Sequence, residues 1–261
     1  MQIVRDAHAS GKLHRGQGIV EMTSGNMGAG LAIVANVYGH KFTAVMSAGN
    51  SPARAAMLRG LGAEVMLAPQ VDGEPGRVTG NDIAAAIEQA QILSAETGDF
   101  YVDQFHNPSS IKAHFHGTGP EIVRDLNTIS AFVAAAGSGG TFVGVSQYLK
   151  QQNRDIVCAV VEPKGAEVLS GKPLLQPRHN MQGIGYGIAL PHWKENLADH
   201  YLSVSSEQAE MFRKRLACEE GLYVGYSAAA NVCASIALME SGHLGKSPVV
   251  ATILCDSGLK Y

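Results

Sequence analysis

Short apolar segments alternate with helix-forming segments along almost the whole chain. Six of the apolar segments are predicted as strands: residues 18–22, 42–46, 63–68, 131–135, 157–161 and 249–254. Strands that alternate with helices in this way pair in parallel and are covered by helices on both faces. The sequence therefore predicts an α/β fold with mostly parallel sheets, whose ligands bind at the carboxyl ends of the strands.

Helix signals fill the intervals between the predicted strands. Three segments have apolar residues at helical spacing or are rich in helix-forming residues: residues 27–38, 82–97 and 142–149. Ser205 and Gln208 form the pattern of a capping box, and Gly221 is placed to end the helix that they begin.

The alternation breaks near the middle of the chain, in the polar, turn-forming stretch from Asn107 to Ser110. This stretch is the candidate domain boundary. We therefore predict a smaller N-terminal domain, residues 1–107, and a larger domain, residues 108–261.

The composition is that of a globular protein and argues against several classes of partner. Of the 261 residues, 46% are hydrophobic and 16% are charged, which is enough for a large buried core. A net charge of -3 gives no basic field for a nucleic acid. No apolar run approaches the roughly 20 residues that span a bilayer, and the first residues lack the apolar region of a signal peptide. We therefore expect a cytoplasmic protein with no membrane and no nucleic-acid partner.

Cysteine and histidine give no metal-site signal. The cysteines lie far apart without a C-x-x-C pair, so we expect buried, reduced thiols: Cys158, Cys218, Cys233 and Cys255. His114 and His116 form an H-x-H pair, with His106 nearby, but no carboxylate or cysteine completes a site at useful spacing. We predict no metal and give these histidines no role.

A glycine-rich turn at residues 137–141, Gly-Ser-Gly-Gly-Thr, follows one predicted strand and opens the next predicted helix. Its glycines allow a close approach of the backbone, and free N–H groups at the helix start point at one anion, helped by the helix dipole and two hydroxyls. A phosphate monoester fits that geometry. The alternative is that the glycines serve only the packing of a tight turn.

A second turn, Thr-Ser-Gly-Asn-Met-Gly at residues 23–28, repeats this arrangement after another predicted strand. Its hydroxyls, carboxamide and backbone N–H groups predict a cradle for a carboxylate. The alternative is a helix N-cap by Ser24 or Asn26. Two such turns in one α/β chain favour a phosphorylated cofactor beside a carboxylate substrate.

Further motifs lie between these two turns and after them. They are QFxNP at residues 104–108, TGPEI at 118–122, VEP at 161–163, QGIG at 182–185, EGLYVGYS at 220–227 and DSG at 256–258. In order and spacing, all these motifs resemble the cysteine synthase and cystathionine beta-synthase family. The resemblance implies a pyridoxal 5'-phosphate (PLP) enzyme of fold type II, tryptophan synthase beta-like, in which two α/β domains close on the cofactor and two chains usually form a homodimer.

The resemblance also implies roles for individual residues. The implied cofactor-binding residues are Asn26, Gly137, Ser138, Gly139, Gly140, Thr141 and Ser227. The implied substrate-binding residues are Thr23, Ser24, Gly25, Met27, Gln104 and Gly183. In these roles the 137–141 turn of the larger domain holds the PLP phosphate, Asn26 bonds the 3'-oxygen of the ring, and the 23–28 turn of the smaller domain holds the substrate carboxylate. As alternatives, Ser227 could cap its helix and Gln104 could satisfy its own loop.

Ser227 matches the family's serine at the pyridine nitrogen. A hydroxyl cannot give the ring a full proton, so the ring is a weaker electron sink, which suits β-elimination from an activated serine. The implied reaction is β-replacement, in which O-acetylserine or a similar donor loses its leaving group and sulfide or a thiol adds, giving cysteine or a relative. Met27, where the family usually has threonine, and Ala229, where glycine is common, leave the identity of the donor open.

The Schiff-base lysine of the family has no counterpart among the chain's residues. In the family it lies in a Ser-x-Lys-Asp-Arg motif shortly before the helix that here starts at Gln2, so the resemblance places it upstream of Met1. None of the lysines from Lys12 to Lys260 lies in a matching context. Because that amine anchors PLP and moves the α-proton, we expect the chain as given to be inactive. A catalytically silent PLP- or amino-acid-binding homologue that acts through a partner, and a serine or threonine dehydratase-like lyase, remain as alternatives.

Overall fold

Two four-stranded parallel sheets organise the chain, one in each of two compact units. The computed structural model describes residues 1–261. Unit 1 comprises Met1–Ser109 together with Lys260–Tyr261, and unit 2 comprises Ser110–Leu259. The α/β class with parallel sheets, predicted from the alternation of apolar and helical segments, is confirmed.

Unit 1 has the strand order β3-β2-β1-β4. Its strands are β1 (Ile19–Met22), β2 (Phe42–Ser47), β3 (Glu64–Ala68) and β4 (Phe100–Tyr101), and its helices are α1 (Gln2–Ala9), α2 (Asn26–Tyr38), α3 (Pro52–Gly60) and α4 (Gly80–Thr97). All four residues of β1 are buried, as expected of a central strand in a sheet covered on both faces. At the edge, β3 leaves Met66 and Leu67 exposed.

Unit 2 has the strand order β7-β6-β5-β8. Its strands are β5 (Ala131–Ala135), β6 (Val157–Pro163), β7 (His200–Val204) and β8 (Val250–Thr252). Its helices are α5 (Ser109–Ala113, which begins at the last residue of unit 1), α6 (Gly119–Asp125), α7 (Gly140–Gln152), α8 (Ser206–Glu220) and α9 (Tyr226–Glu240). Short 3-10 turns lie at Glu195–Leu197 and Gly258–Lys260, and a π-helix, His114–Thr118, connects α5 with α6. Phe142 stacks between Phe132 and Trp193 in the interior.

The six predicted strands are all present, whereas β4 and β7 escaped prediction. Strand β4 has only two residues, and β7 is the polar sequence His-Tyr-Leu-Ser-Val, so neither forms an apolar run. The predicted capping box is confirmed, with the Ser205 hydroxyl accepting from the Gln208 N–H at 3.2 Å and the Gln208 side chain accepting from the Ser205 N–H at 2.9 Å. Gly221 ends α8 at a positive φ of 69°, as predicted.

The cysteines are all free, but they are not all buried. Cys158 and Cys233 lie in the core of unit 2, Cys255 is half-buried, and Cys218 is exposed. The expectation of burial was wrong for Cys218 because it lies on the side of α8 that faces away from the buried Phe212 and Leu216. None of the helices is both long and apolar enough to cross a bilayer.

Candidate active site

The turn at residues 137–141 joins the carboxyl end of β5 to the start of α7 in unit 2. Gly139 has a φ of 90°, a conformation that favours glycine. A Cβ at Gly137 would lie 2.6 Å from the Gly183 carbonyl oxygen, and one at Gly140 would lie 3.0 Å from the Ser110 hydroxyl oxygen. Tight packing therefore requires glycine at position 137, where the obstructing atom belongs to the backbone, and leaves little room at Gly140. The first N–H groups of α7 have no partner within the helix and point out from its N-terminus.

A half-buried histidine, His114, contacts the last hydroxyl of this turn. The Thr141 Oγ1 lies 3.1 Å from the His114 Nε2, and the His114 Nδ1 lies 3.0 Å from the Thr118 Oγ1. Burial lowers the pKa of His114, so the ring is neutral near pH 7. Sequence reasoning gave His114 no role, since only the π-helix brings it to Thr141. The structure contains no group of three or more His, Cys, Asp or Glu side chains arranged to hold a metal ion.

Ser227 lies in the first turn of α9 and is 93% buried, with a relative exposure of 7%. Gly225 is the N-cap of this helix and no side chain caps it, so the Ser227 hydroxyl is not used as a cap. Asn231, one turn further along α9, fixes the helix against the sheet. Its side chain accepts from the Ala135 N–H at 2.8 Å and donates to the Ile253 carbonyl at 2.9 Å. The helix start that carries Ser227 is thereby tied to the end of β5.

Gly183 belongs to a loop with three glycines at positive φ: Gly183 (106°), Gly185 (64°) and Gly187 (70°). His179 holds this loop from within, since its Nε2 lies 3.0 Å from the Gly185 carbonyl oxygen, an acceptor to which the ring must donate. The Gly183 carbonyl is the group that a side chain at Gly137 would strike. Unit 2 thus brings Gly183 against the 137–141 turn.

The turn at residues 23–28 joins β1 to α2 in unit 1. The Thr23 hydroxyl oxygen accepts from the Gly28 N–H at 3.0 Å and from the Gly25 N–H at 3.4 Å. Gly25 is the N-cap of α2, and neither Ser24 nor Asn26 provides a side-chain cap. The turn is therefore stabilised chiefly by Thr23, whose hydroxyl oxygen is already occupied as an acceptor of two backbone N–H groups of the turn.

Two cations lie beside the 23–28 turn. The Arg54 guanidinium, nearly fully buried on α3, donates to the Ser24 hydroxyl at 3.3 Å and lies 4.9 Å from the centre of the Tyr261 ring. The Lys260 ammonium donates to the Asn26 carboxamide oxygen. Neither cation was identified from the sequence, because Arg54 follows Ser24 by 30 residues and Lys260 follows Asn26 by 234. Their charges favour an anion at this turn.

Gln104 contacts β1 rather than its own loop. Its amide nitrogen donates to the Met22 carbonyl at 2.8 Å and to the Glu21 carboxyl at 3.0 Å, which uses both amide hydrogens. Glu21 is fully buried, and burial raises its pKa to about 8, although the hydrogen bond from Gln104 acts in the opposite direction. Glu21 is therefore largely protonated at pH 7. In this arrangement Gln104 must release one of these partners before its amide hydrogens can reach a carboxylate.

Comparisons with known proteins agree with this arrangement of motifs. A family model described as "Pyridoxal-phosphate dependent enzyme" matches residues 2–256. The "Probable cysteine synthase" of Bacillus subtilis is 36% identical over 266 residues, which cover 100% of this chain and 81% of that protein. A crystal structure of O-ureido-L-serine synthase superposes with a TM-score of 0.89 at 31% identity, covering 100% of this chain and 79% of the other. The crystal structure of an O-acetylserine dependent cystathionine beta-synthase from Helicobacter pylori superposes with a TM-score of 0.88 at 32% identity. The match covers 100% of this chain and 81% of the other.

Proposed function

The chain belongs to the family of pyridoxal-phosphate dependent enzymes, in its cysteine synthase-like group, and we propose that its site is built for β-replacement on O-acetylserine or a related activated serine. We also propose that the chain as given is inactive in this reaction, because none of its lysines matches the Schiff-base lysine of the family. Sulfide or a thiol is the proposed nucleophile, and cysteine or a relative is the product. The observation that carries the proposal is the 137–141 turn, in which tightly packed glycines leave the N-terminus of α7 open to a phosphate.

PLP fits the residues that unit 2 provides. The helix start offers backbone N–H groups and the positive end of its dipole, and Ser138 and Thr141 add hydroxyls. Ser227 offers a buried hydroxyl in the first turn of α9, an uncharged partner for the ring nitrogen. When bound, PLP supplies the electron sink for elimination, and a hydroxyl partner keeps that sink moderate.

The 23–28 turn is proposed to bind the substrate carboxylate. Ser24 offers its hydroxyl, and Gly25 and Met27 offer backbone N–H groups at the start of α2, although that of Gly25 also donates to Thr23. Arg54 and Lys260 supply positive charge next to them. Thr23 accepts from two backbone N–H groups, so only its hydroxyl hydrogen is left for a ligand.

Gln104 and Gly183 complete the proposed substrate contacts. Gln104 joins the carboxylate site by exchanging its bond to Met22 or Glu21 for the ligand. Gly183 belongs to the loop that is proposed to line the entrance for the nucleophile. This loop lies against the phosphate turn through the Gly183 carbonyl.

We assign no catalytic amine among the chain's lysines. Lys260 is nevertheless in contact with Asn26, the residue proposed to bond the 3'-oxygen of PLP. Loading the chain with PLP, reducing it with borohydride and mapping the peptide masses tests this assignment. A specific adduct on Lys260 that disappears in Lys260→Arg would overturn it, and the absence of any specific adduct supports it.

Product analysis tests the proposed reaction. The PLP-loaded protein is given O-acetylserine and sulfide, and formation of a thiol amino acid is measured alongside release of ammonia and keto acid. The thiol amino acid supports β-replacement. Ammonia and keto acid without it indicate a dehydratase-like lyase. Neither product from a protein that binds PLP agrees with the proposed lack of a catalytic amine and also with a silent homologue. We also propose a cytoplasmic homodimer, which light scattering and fractionation test.

A further inference from the structure

The π-helix His114–Thr118 interrupts the α-helical winding between α5 and α6. Segments of this type are rare and are often found at functional sites. It is held tightly against α7, because a Cβ at Gly144 would lie 2.5 Å from the Ile111 carbonyl oxygen and 2.7 Å from the His114 Cβ. This packing brings His114 to the first turn of α7, where Thr141 lies.

The hydrogen bonds of His114 have a direction that can be worked out. A neutral imidazole has one N–H donor and one acceptor nitrogen, whereas each threonine hydroxyl can donate once and also accept. If the His114 Nε2–H donates to Thr141, then the His114 Nδ1 accepts from the Thr118 hydroxyl. In that case the Thr141 hydrogen is left for a ligand. In the opposite tautomer Thr141 donates to His114, and its hydrogen is no longer available.

The 137–141 turn needs the first arrangement. A phosphate accepts hydrogen bonds and donates almost none near neutral pH, so Thr141 can contact it only through its hydroxyl hydrogen. The Thr118 hydroxyl, 3.0 Å from Nδ1, is close enough to donate to it, and a hydrogen bond in that direction would fix the tautomer. No charged group is required at any step of this chain of bonds.

We propose that His114 is a positioning residue for the cofactor site: its Nε2–H orients the Thr141 hydroxyl toward the PLP phosphate, and Thr118 selects the tautomer that permits this. The inference rests on the proposed role of the 137–141 turn in holding that phosphate. It does not depend on which amino-acid substrate the enzyme uses.

The first test uses the protein without PLP. Long-range 1H–15N spectra of histidine-labelled protein report which ring nitrogen carries the proton, and His114→Gln assigns the signal. We expect the Nε2–H tautomer in the unmodified protein and its loss or mixing in Thr118→Val. A His114 ring that is protonated on Nδ1, or on both nitrogens near pH 7, would overturn the proposal.

The second test compares PLP with pyridoxal, which lacks the phosphate, by equilibrium dialysis. His114→Phe is expected to weaken PLP binding about tenfold or more, the range of one hydrogen bond to a charged group, and to leave pyridoxal binding unchanged. His114→Gln, which keeps a donor, should recover part of the loss. His116→Phe is the matched control, since His116 is an exposed neighbour in the same π-helix. Equal losses for both ligands would reduce His114 to a merely structural residue.

Failure of this proposal is distinct from failure of the proposed reaction. If PLP binding is the same in His114→Phe and the unmodified protein, the positioning role is wrong while β-replacement stands. If PLP binding falls as expected but the protein releases ammonia and keto acid without a thiol amino acid, the positioning role stands while β-replacement is wrong.

Discussion

The two strand-to-helix turns, residues 137–141 and 23–28, are both rich in glycine and hydroxyl groups, but different groups surround them. The 137–141 turn surrounds its open helix N-terminus with uncharged donors, and its hydroxyl contact is a neutral histidine. The 23–28 turn uses the Thr23 hydroxyl to hold its own backbone and has two cations, Arg54 and Lys260, beside it. A glycine turn therefore indicates an anion site, while the surroundings decide whether dipoles or full charges provide the attraction.

The largest effect is expected from Gly137→Ala, which tests whether the 137–141 turn is rigid. The new Cβ would lie 2.6 Å from the Gly183 carbonyl oxygen, a backbone atom that cannot move alone. We expect a loss of about 1–3 kcal/mol in the free energy of unfolding and a loss of PLP binding by more than tenfold. Thermal unfolding and dialysis measure both. Gly30→Ala in α2, where nothing lies within 4 Å, is the control and should not destabilise the protein. Equal behaviour of the two variants would contradict the packing argument.

Glu21 is a further difference between the two turns. Strand β1 contains this buried acid two residues before the 23–28 turn, whereas β5, before the 137–141 turn, is apolar throughout. The folded-state pKa of Glu21, about 8, lies above the unfolded value, so the folded state holds this proton more tightly. Stability from this group is complete below the unfolded pKa and falls as pH rises toward about 8, by at most roughly 1.4 kcal/mol per pH unit.

Glu21→Gln mimics the protonated acid and should remove this pH-dependent loss. Urea unfolding of both proteins from acidic pH to above pH 8 gives the difference. We expect the variant to gain stability relative to the unmodified protein as pH rises through that window. A constant difference across the range would show that Glu21 does not hold its proton.

Arg54→Met tests whether full charge attracts the ligand at the 23–28 turn. We expect calorimetric binding of O-acetylserine to the PLP-loaded protein to weaken about tenfold, because a hydrogen bond and charge next to Ser24 are lost. PLP binding should not change, and added salt should weaken O-acetylserine binding in the unmodified protein more than in the variant. Arg59→Met, an exposed position on the same helix, is the control. A loss of PLP binding as large as that of O-acetylserine would contradict the assignment of this turn to the substrate.

The smallest effects come from a crossed pair of isosteric changes, Thr23→Val and Thr141→Val. Thr23→Val removes the acceptor of the Gly28 N–H, so it should lower stability by about 1 kcal/mol and leave PLP binding nearly unchanged. Thr141→Val should weaken PLP binding, and it also lowers stability because the His114 N–H loses its acceptor. Denaturant unfolding and dialysis of the same two proteins give all four values. Equal changes in stability and in PLP binding for the two variants would contradict the different roles of the two turns.

The sequence predicts those elements that depend on local patterns. Strand β5 is a continuous apolar run because both faces of the sheet are covered, and its predicted bounds match the structure. The two-residue β4 carries too little sequence to be recognised, since it depends on pairing with β1. The motif turns were likewise visible, but their partners Arg54, Lys260 and His114 were not. These side chains reach the turns through tertiary contacts, and their own neighbours in sequence give no sign of it.

The π-helix makes the contacts of His114 depend on the number of residues between His114 and Thr118, as well as on which side chains are present. A π-turn accommodates one residue more than an α-turn, so deletion of Gly117 would let the segment from Ala113 wind as an ordinary helix. Thr118 would then follow His114 by three residues instead of four, so its hydroxyl would approach the His114 Nδ1 from a different position on the same helix face. A one-residue deletion therefore alters the contact between Thr118 and His114 while His114, Thr118 and Thr141 are all retained, a change that a comparison of matching side chains between relatives would not register.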